Sequence, residues 1–548
     1  MAVTRNGDRK VSKMFNQADK VFINGEIVTV NINNDIKEAL AVNENKIIFV
    51  GSNEEAKQYI GDKTQVIDLG GKSLLPGFID AHQHVLIRGS NALGIDCRSP
   101  GISSIEELKA LVAERAKTTP KGEWIRGWGY DHSKLAEGRH PDRFDLDEVA
   151  PDHPVVIVRT CCHIAAFNTK ALEKTGTPVD ASTINDAPVG ERNGKPNGVM
   201  FEGAYMEVLG KAMPSMDEMV DALGSASDML LAEGITSVHD AGGHGFAQMK
   251  AMQRAVEEGK LKARVSAMIF ALIGDTTPFS DLYIESGIYT NFGNDHLKLG
   301  PIKMMIDGSS SGPTASTIDE YTSMPGNHGL LSLTQQQVDD LTMRAHLAGY
   351  QITAHAVGDN AVTMMIDAIE KALKAKPKKD HRHRIEHCAM VNDQLLDRIK
   401  ALGIIPVPQP IFLYEFGDGY VRNYGERAHR MFTCGSYIKR GILAAGSSDC
   451  PVTFANPLLN MHVAINRQTQ TGQVVGPDEK ISVMDAIRMF TYNSAFVGFD
   501  EKIKGSLEVG KLADLIVLSE PILKANPEKI KDIVVEKTYL DGELVFYK

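Results

Sequence analysis

The chain has 548 residues, 43% of them hydrophobic and 24% charged, with a formal net charge of −11. That length exceeds one compact module and buries a large core. The acidic balance excludes a nucleic-acid partner, because no basic surplus is present to neutralise phosphates. The longest apolar runs fall short of the roughly 20 residues of a membrane span.

The opening stretch, MAVTRNGDRKVSKMFNQADK, is polar and lacks the apolar core of a signal peptide, with Met14 as an alternative start. Six cysteines are scattered without a C-x-x-C pair, the usage of reduced thiols, so the expected location is the cytoplasm. Short alternating runs follow: KVFINGEIVTV, ALAVNENKIIFVG and QVIDLGGKSLLPG, punctuated by Asn-Gly and Gly-Ser turns. The last forty residues repeat the pattern in GSLEVGKLADLIVLS and VVEKTYLDGELVFYK. Neither end alone supplies enough strands for a stable sandwich. Residues 15–74 and 505–548 are therefore expected to form one composite β-sandwich domain, with 75–504 set between them.

The central part alternates apolar β-rich runs with helical stretches, the pattern of a parallel sheet with crossover helices. Its strand candidates in order are LLPGFIDAHQH, ITSVHDA, RVSAMIFAL, GPIKMMIDG, YQITAHAVGD, HRIEHCAM, IIPVPQP and GILAAGSSD. Eight such runs predict an α/β fold, a (β/α)8 TIM barrel. The gap between the first two, residues 85–235, is too long for one crossover helix and reads as an insertion after strand one. It carries its own strand, PVVIVRT, and helices in SIEELKALVAERAKT and MDEMVDALGSASDMLLAEG.

Barrel chemistry sits at the C-terminal ends of the strands. Strand one ends in His82 and His84, which at i and i+2 point to one face and can reach one ion. Strand four carries Lys303, strand five ends with His355, strand six with His387 and strand eight with Asp449. Each has a plainer reading: a hydrogen-bonded core or rim histidine, a turn or N-cap aspartate, a lysine snorkelling out of the sheet. Their coincidence at the ends of different strands favours a shared site. The second H-x-H, His381 and His383, fails this test. It lies six residues before His387, about 20 Å back along an extended strand, and is expected at the opposite mouth as ordinary polar residues.

Taken in order, LLPGFIDAHQHV, IKMMIDGSSS, TAHAVGDNA, RIEHC, GSSDCP and GSLEVGKLADLIVL resemble the amidohydrolase superfamily, in its amidohydrolase-3, YtcJ-like branch. WIRGWGYD, LDEVAPDHPVVIVRTCCHIAAFN and GVMFEGA in the insertion share the resemblance. It implies metal ligands at His82, His84, a carboxylated Lys303, His355, His387 and Asp449, with Glu202 as the alternative bridging carboxylate. It also implies hydrolysis of an amide or related non-peptide C–N bond of a small N-acyl or aryl amide by a metal-activated hydroxide, with Asp449 moving the proton. Imidazoles and carboxylates suit zinc, one or two ions, with manganese or iron as alternatives.

Both tryptophans of the chain, Trp124 and Trp128, lie in EWIRGWGYDHS. They either line a substrate pocket or fill the insertion's own core. Trp128, Asp131, His163 and Glu202 are the expected substrate contacts, with His163 either donating to an oxyanion or packing. The expected partner is a small-molecule substrate, with a homodimer left open. A deaminase of the same superfamily would place a Glu shortly after the strand-five histidine, where this chain reads HAVGDN. A catalytically silent binding protein would have shed ligands.

Overall fold

Seven parallel strands make the central sheet of the computed structural model, which describes residues 17–99, 101–160, 164–184, 187–242, 245–271 and 279–548. They are β1 (Phe78–Gln83), β2 (Ile235–Asp240), β3 (Arg264–Phe270), β4 (Leu297–Met305), β5 (Ile352–Ala356), β6 (Arg384–His387) and β7 (Ile405–Val407), paired in chain order. The expected eighth strand, 441–449, is not a regular strand. It bridges the gap by isolated bonds: Ala445 N–H donates to Pro406 O, Ala81 N–H to Gly446 O and Asp449 N–H to His82 O at 2.8–3.1 Å. Serine side chains here compete with a ladder: Ser447 Oγ donates to Pro408 O and Ser448 Oγ to Asp80. The result is a nearly closed, barrel-like seven-stranded sheet.

The run 74–84, read as one strand, divides at Gly77. Ser73–Pro76 pairs antiparallel with Leu515–Leu518, whereas Phe78 onward enters the barrel. A Cβ at Gly77 would lie 2.2 Å from Thr236 Oγ1, so only glycine lets the chain change sheets there.

Amphipathic helices cover the barrel. Met216–Ala232 starts at a Ser215–Glu218 capping box and buries Met219, Leu223 and Leu230 in the main core. Val85 and Leu86 of the helix Val85–Leu93 enter the same core. Both helices at the borders of 85–235 thus pack on the barrel. Between them a separate sheet runs from Ile95–Asp96 to Thr183–Ile184 over its own clusters, which include Val112, Leu146, Phe167 and Val208.

At the other end of the barrel, Ser73–Pro76 lies in one sheet with Glu26–Val28, Leu515–Leu518, Val535–Leu540 and Glu543–Tyr547. Phe22, Leu40, Leu74, Leu515 and Tyr539 share one apolar cluster, so both ends of the chain contribute to it. Buried Arg264, the first residue of β3, pairs with Asp514 at 2.7 Å and Asp541 at 2.6 Å, tying the barrel-like sheet to the C-terminal strands. Among the described residues no helix is long and apolar enough to cross a membrane.

Candidate metal centre

The expected ligands converge at the C-terminal ends of the strands. His82 lies near the end of β1 with its Nε2 3.2 Å from both Asp449 Oδ1 and Lys303 Nζ. His84, just beyond, turns its Nε2 to the same Asp449 oxygen at 3.3 Å. The His387 ring lies 5.1 Å from that of His82. His82, His387 and Asp449 each offer a ligand atom, all within 4.8 Å of one another, a spread one ion can bridge. Lys303 is 3% exposed and points inward, so it does not snorkel.

Behind the centre, each imidazole is anchored. His82 Nδ1 lies 2.5 Å from Glu386 Oε2, His84 Nδ1 3.1 Å from Gly242 O, and His387 Nδ1 2.7 Å from Gln409 Oε1. The Gln409 amide nitrogen donates to Val407 O and Ser447 Oγ, so its oxygen accepts and His387 Nδ1 carries the proton. One nitrogen tied to a fixed acceptor and the other turned to a common point is how protein-bound metal ligands are held. Nitrogen and carboxylate donors in a buried cluster fit a divalent transition ion.

His355 stands apart. Its ring is 4.5 Å from that of His387, but its Nε2 faces Gly308 O at 3.0 Å and Asp307 Oδ1 at 3.6 Å. Asp307 in turn accepts from the backbone N–H groups of Ser316, Val357 and Gly358, locking the loop after β4 to the loop after β5.

Backbone conformation aims two of the groups. Asp449 and His387 have left-handed φ values of 59° and 67°, strained for residues other than glycine. Strict alternation along β6 would send Glu386 and His387 to opposite faces. The positive φ at His387 breaks it, and both side chains meet around His82.

The local charges are mutually adjusted. Burial and the Lys303 ammonium act to lower the His82 pKa, but the Glu386 and Asp449 carboxylates outweigh them and raise it. Burial acts upward on Asp449, yet its hydrogen bonds to His82 and His84 hold it well below the usual carboxylate range. Burial depresses Lys303. Burial also pushes His387 far down and His355 to about 4, so both are neutral imidazoles.

The expected substrate contacts divide. The Trp128 indole N–H donates to Asn91 O at 2.9 Å, and the Arg98 guanidinium sits 4.5 Å above its ring. Trp124 instead packs against the insertion's own cluster. Asp131 caps Ser133 and pairs with Arg159 at 3.0 Å. His163 lies outside the described residues, as does the side chain of Glu202, whose backbone opens the helix Glu202–Lys211.

Sequence reading missed Glu386, Arg384 and Gln409. The signal for the first two was an Arg and a Glu at i and i+2 in a strand otherwise read as buried, a pattern that puts both charges on one face.

The family model described as Amidohydrolase family matches residues 65–546. The N-substituted formamide deformylase of Arthrobacter pascens is 28% identical over 97% of this chain and 99% of its own. YtcJ of Bacillus subtilis (strain 168) is 29% identical over 96% and 98%. A crystal structure of an uncharacterized metal-dependent hydrolase from Pyrococcus horikoshii OT3 superposes with a TM-score of 0.78 at 26% identity, covering 93% of this chain and 99% of that one. With a metal-ready cluster at the strand ends and a family match across most of its length, this chain belongs to the amidohydrolase family.

Proposed function

We propose that the protein is a zinc-dependent hydrolase of small-molecule amides or related non-peptide C–N bonds, built on a (β/α)8 barrel closed by the segment 441–449. The observation that carries this reading is the convergence of His82 Nε2, His387 and Asp449 on one buried point, with each imidazole anchored from behind. His82, His84, His387 and Asp449 hold the metal. His355 joins through Nδ1, because Nε2 donates to Gly308 O and leaves the lone pair on the other nitrogen. When bound, zinc polarises a carbonyl and lowers the pKa of a water toward neutrality.

Lys303 acts as a carbamate in this reading. Burial favours its neutral amine, which would add to carbon dioxide and release a proton to solvent, leaving an anionic carbamate that could serve as a further ligand. Asp449 takes the proton from the attacking water on its carboxylate and returns it to the leaving nitrogen. Trp128, with the Arg98 guanidinium 4.5 Å over its ring, is the insertion's contribution to substrate binding in this reading.

The deformylase relative makes N-substituted formamides the first substrates to try, beside N-acetyl amines and anilides. Zinc-loaded protein should release amine and carboxylate in equal amounts, and a chelator should stop it. Ammonia as the product from aminated heterocycles, with every amide left intact, would move the assignment to a deaminase.

A further inference from the structure

Barrel interiors are usually filled by layers of branched apolar side chains. Just beneath the candidate metal centre this barrel instead buries a charged pair. Arg384 and Glu386 are both 0% exposed. The guanidinium grips the carboxylate with two bonds, Nε to Oε1 at 2.6 Å and Nη2 to Oε2 at 3.0 Å. Thr353 Oγ1 donates to Oε1 at 2.5 Å. Arg384 is itself fixed, donating from Nη2 to Ala81 O and from Nη1 to His239 Nδ1 at 3.0 Å.

Stability does not explain such a pair, because burying two charges costs several kcal/mol per ion and apolar replacements are often as stable or more so. The bond left over is informative: Glu386 Oε2 sits 2.5 Å from His82 Nδ1. We infer that Arg384, Thr353 and Glu386 form a clamp that fixes the tautomer of His82 and so sets how tightly the site holds its metal. An arginine stays protonated in proteins, so the carboxylate it grips stays anionic and can only accept. The ring proton is then held on Nδ1, which leaves Nε2, on the side of Asp449 and Lys303, as the nitrogen that gives up its proton to take a metal. An anionic acceptor also makes the imidazole a stronger donor to a metal. Glu386, Arg384 and Thr353 are positioning residues, acting through His82. The inference rests on the metal-site reading above.

The test is zinc affinity by competition with a chelator, alongside the thermal unfolding of metal-free protein and the visible spectrum of the cobalt-substituted form. Glu386→Gln keeps the size, loses the charge and leaves Arg384 uncompensated below the site. It should bind zinc roughly 10- to 100-fold more weakly and shift the cobalt spectrum. Thr353→Val removes one donor without altering charge and should weaken zinc roughly two- to tenfold, with unfolding unchanged. If Glu386→Gln does not fold, Thr353→Val decides. Variants that fold and bind zinc as tightly as the unaltered protein overturn the clamp and leave the hydrolase reading standing. An unaltered protein that takes up no divalent metal removes both.

Discussion

At the C-terminal mouth of the barrel, His82, His84 and His387 each tie one ring nitrogen to a protein acceptor and turn the other inward. At the opposite mouth His346, His381 and His383 are buried neighbours, and two of them repeat the H-x-H spacing. Here both nitrogens of every ring are already committed. His346 Nε2 donates to Lys376 O, and its Nδ1 meets His383 Nε2 at 2.9 Å. His383 Nδ1 accepts from the Ile352 N–H. His381 Nε2 donates to Leu402 O while its Nδ1 accepts from the His383 N–H. In these three rings every imidazole lone pair is filled by the protein. Spacing brings imidazoles together in both places, and what separates the candidate metal centre from the structural knot is that the second ring nitrogens of His82 and His84 converge on one carboxylate, Asp449.

The comparison breaks most visibly at Asp449, the carboxylate shared by His82 and His84. Asp449→Asn should lower turnover by roughly 10²- to 10⁴-fold, the size expected when a positioned proton carrier is lost, and should reduce bound zinc. Turnover within a few-fold of the unaltered protein would remove Asp449 from the chemistry and leave the two ends of the barrel alike.

The second break is made at the other end. His383→Ala leaves His346 Nδ1 and the Ile352 N–H without partners and opens a cavity in the core. It should destabilise the protein by about 2–4 kcal/mol in denaturant unfolding, while zinc content stays unchanged. A loss of zinc at native stability would mean that the floor cluster, too, serves the site.

Much of this contrast was legible in the sequence, because strand count and direction tell the two mouths apart. His82, Lys303, His387 and Asp449 were found from their places at strand ends, and the structure brings them together. The stretch 85–235 stood out as a gap no crossover helix fills, and a separate sheet from Ile95–Asp96 to Thr183–Ile184 lies within it. The irregular course of 441–449 was not, since Gly, Ser and Ser can serve either a strand or a turn, and only their bonds to Asp80 and Pro408 decide. Glu386 was passed over for a related reason. Its neighbour His387 fitted a pattern of strand-end ligands, whereas the partners of Glu386 other than Arg384 (His82 and Thr353) come from β1 and β5, at separations that local periodicity does not reach. His355 lay in the expected place, but its Nε2 is turned to Gly308, an orientation that the sequence does not encode locally.

The smallest expected effect concerns acidity and sharpens the comparison at the floor. Burial lowers the pKa of His381 and pushes that of His383 well below the ordinary histidine value, so these two rings are neutral in the folded chain. For a base with a depressed folded pKa, the unfolded chain binds more protons on acidification, and stability rises with pH in that range. The contribution is complete above the unfolded value of about 6.5 and is lost as pH falls from there toward the folded values. Metal-free protein should therefore unfold at lower urea at pH 5 than at pH 7. Part of that slope belongs to the mouth, where His355 and His387 are also depressed, so the informative quantity is the difference between the unaltered protein and His383→Ala. The variant should show a shallower dependence between pH 7 and pH 5, because one buried neutral imidazole no longer has to be charged on unfolding. Equal slopes would show that His383 titrates alike in the folded and unfolded chains, and the closed hydrogen-bond circuit at the floor would then have no energetic standing.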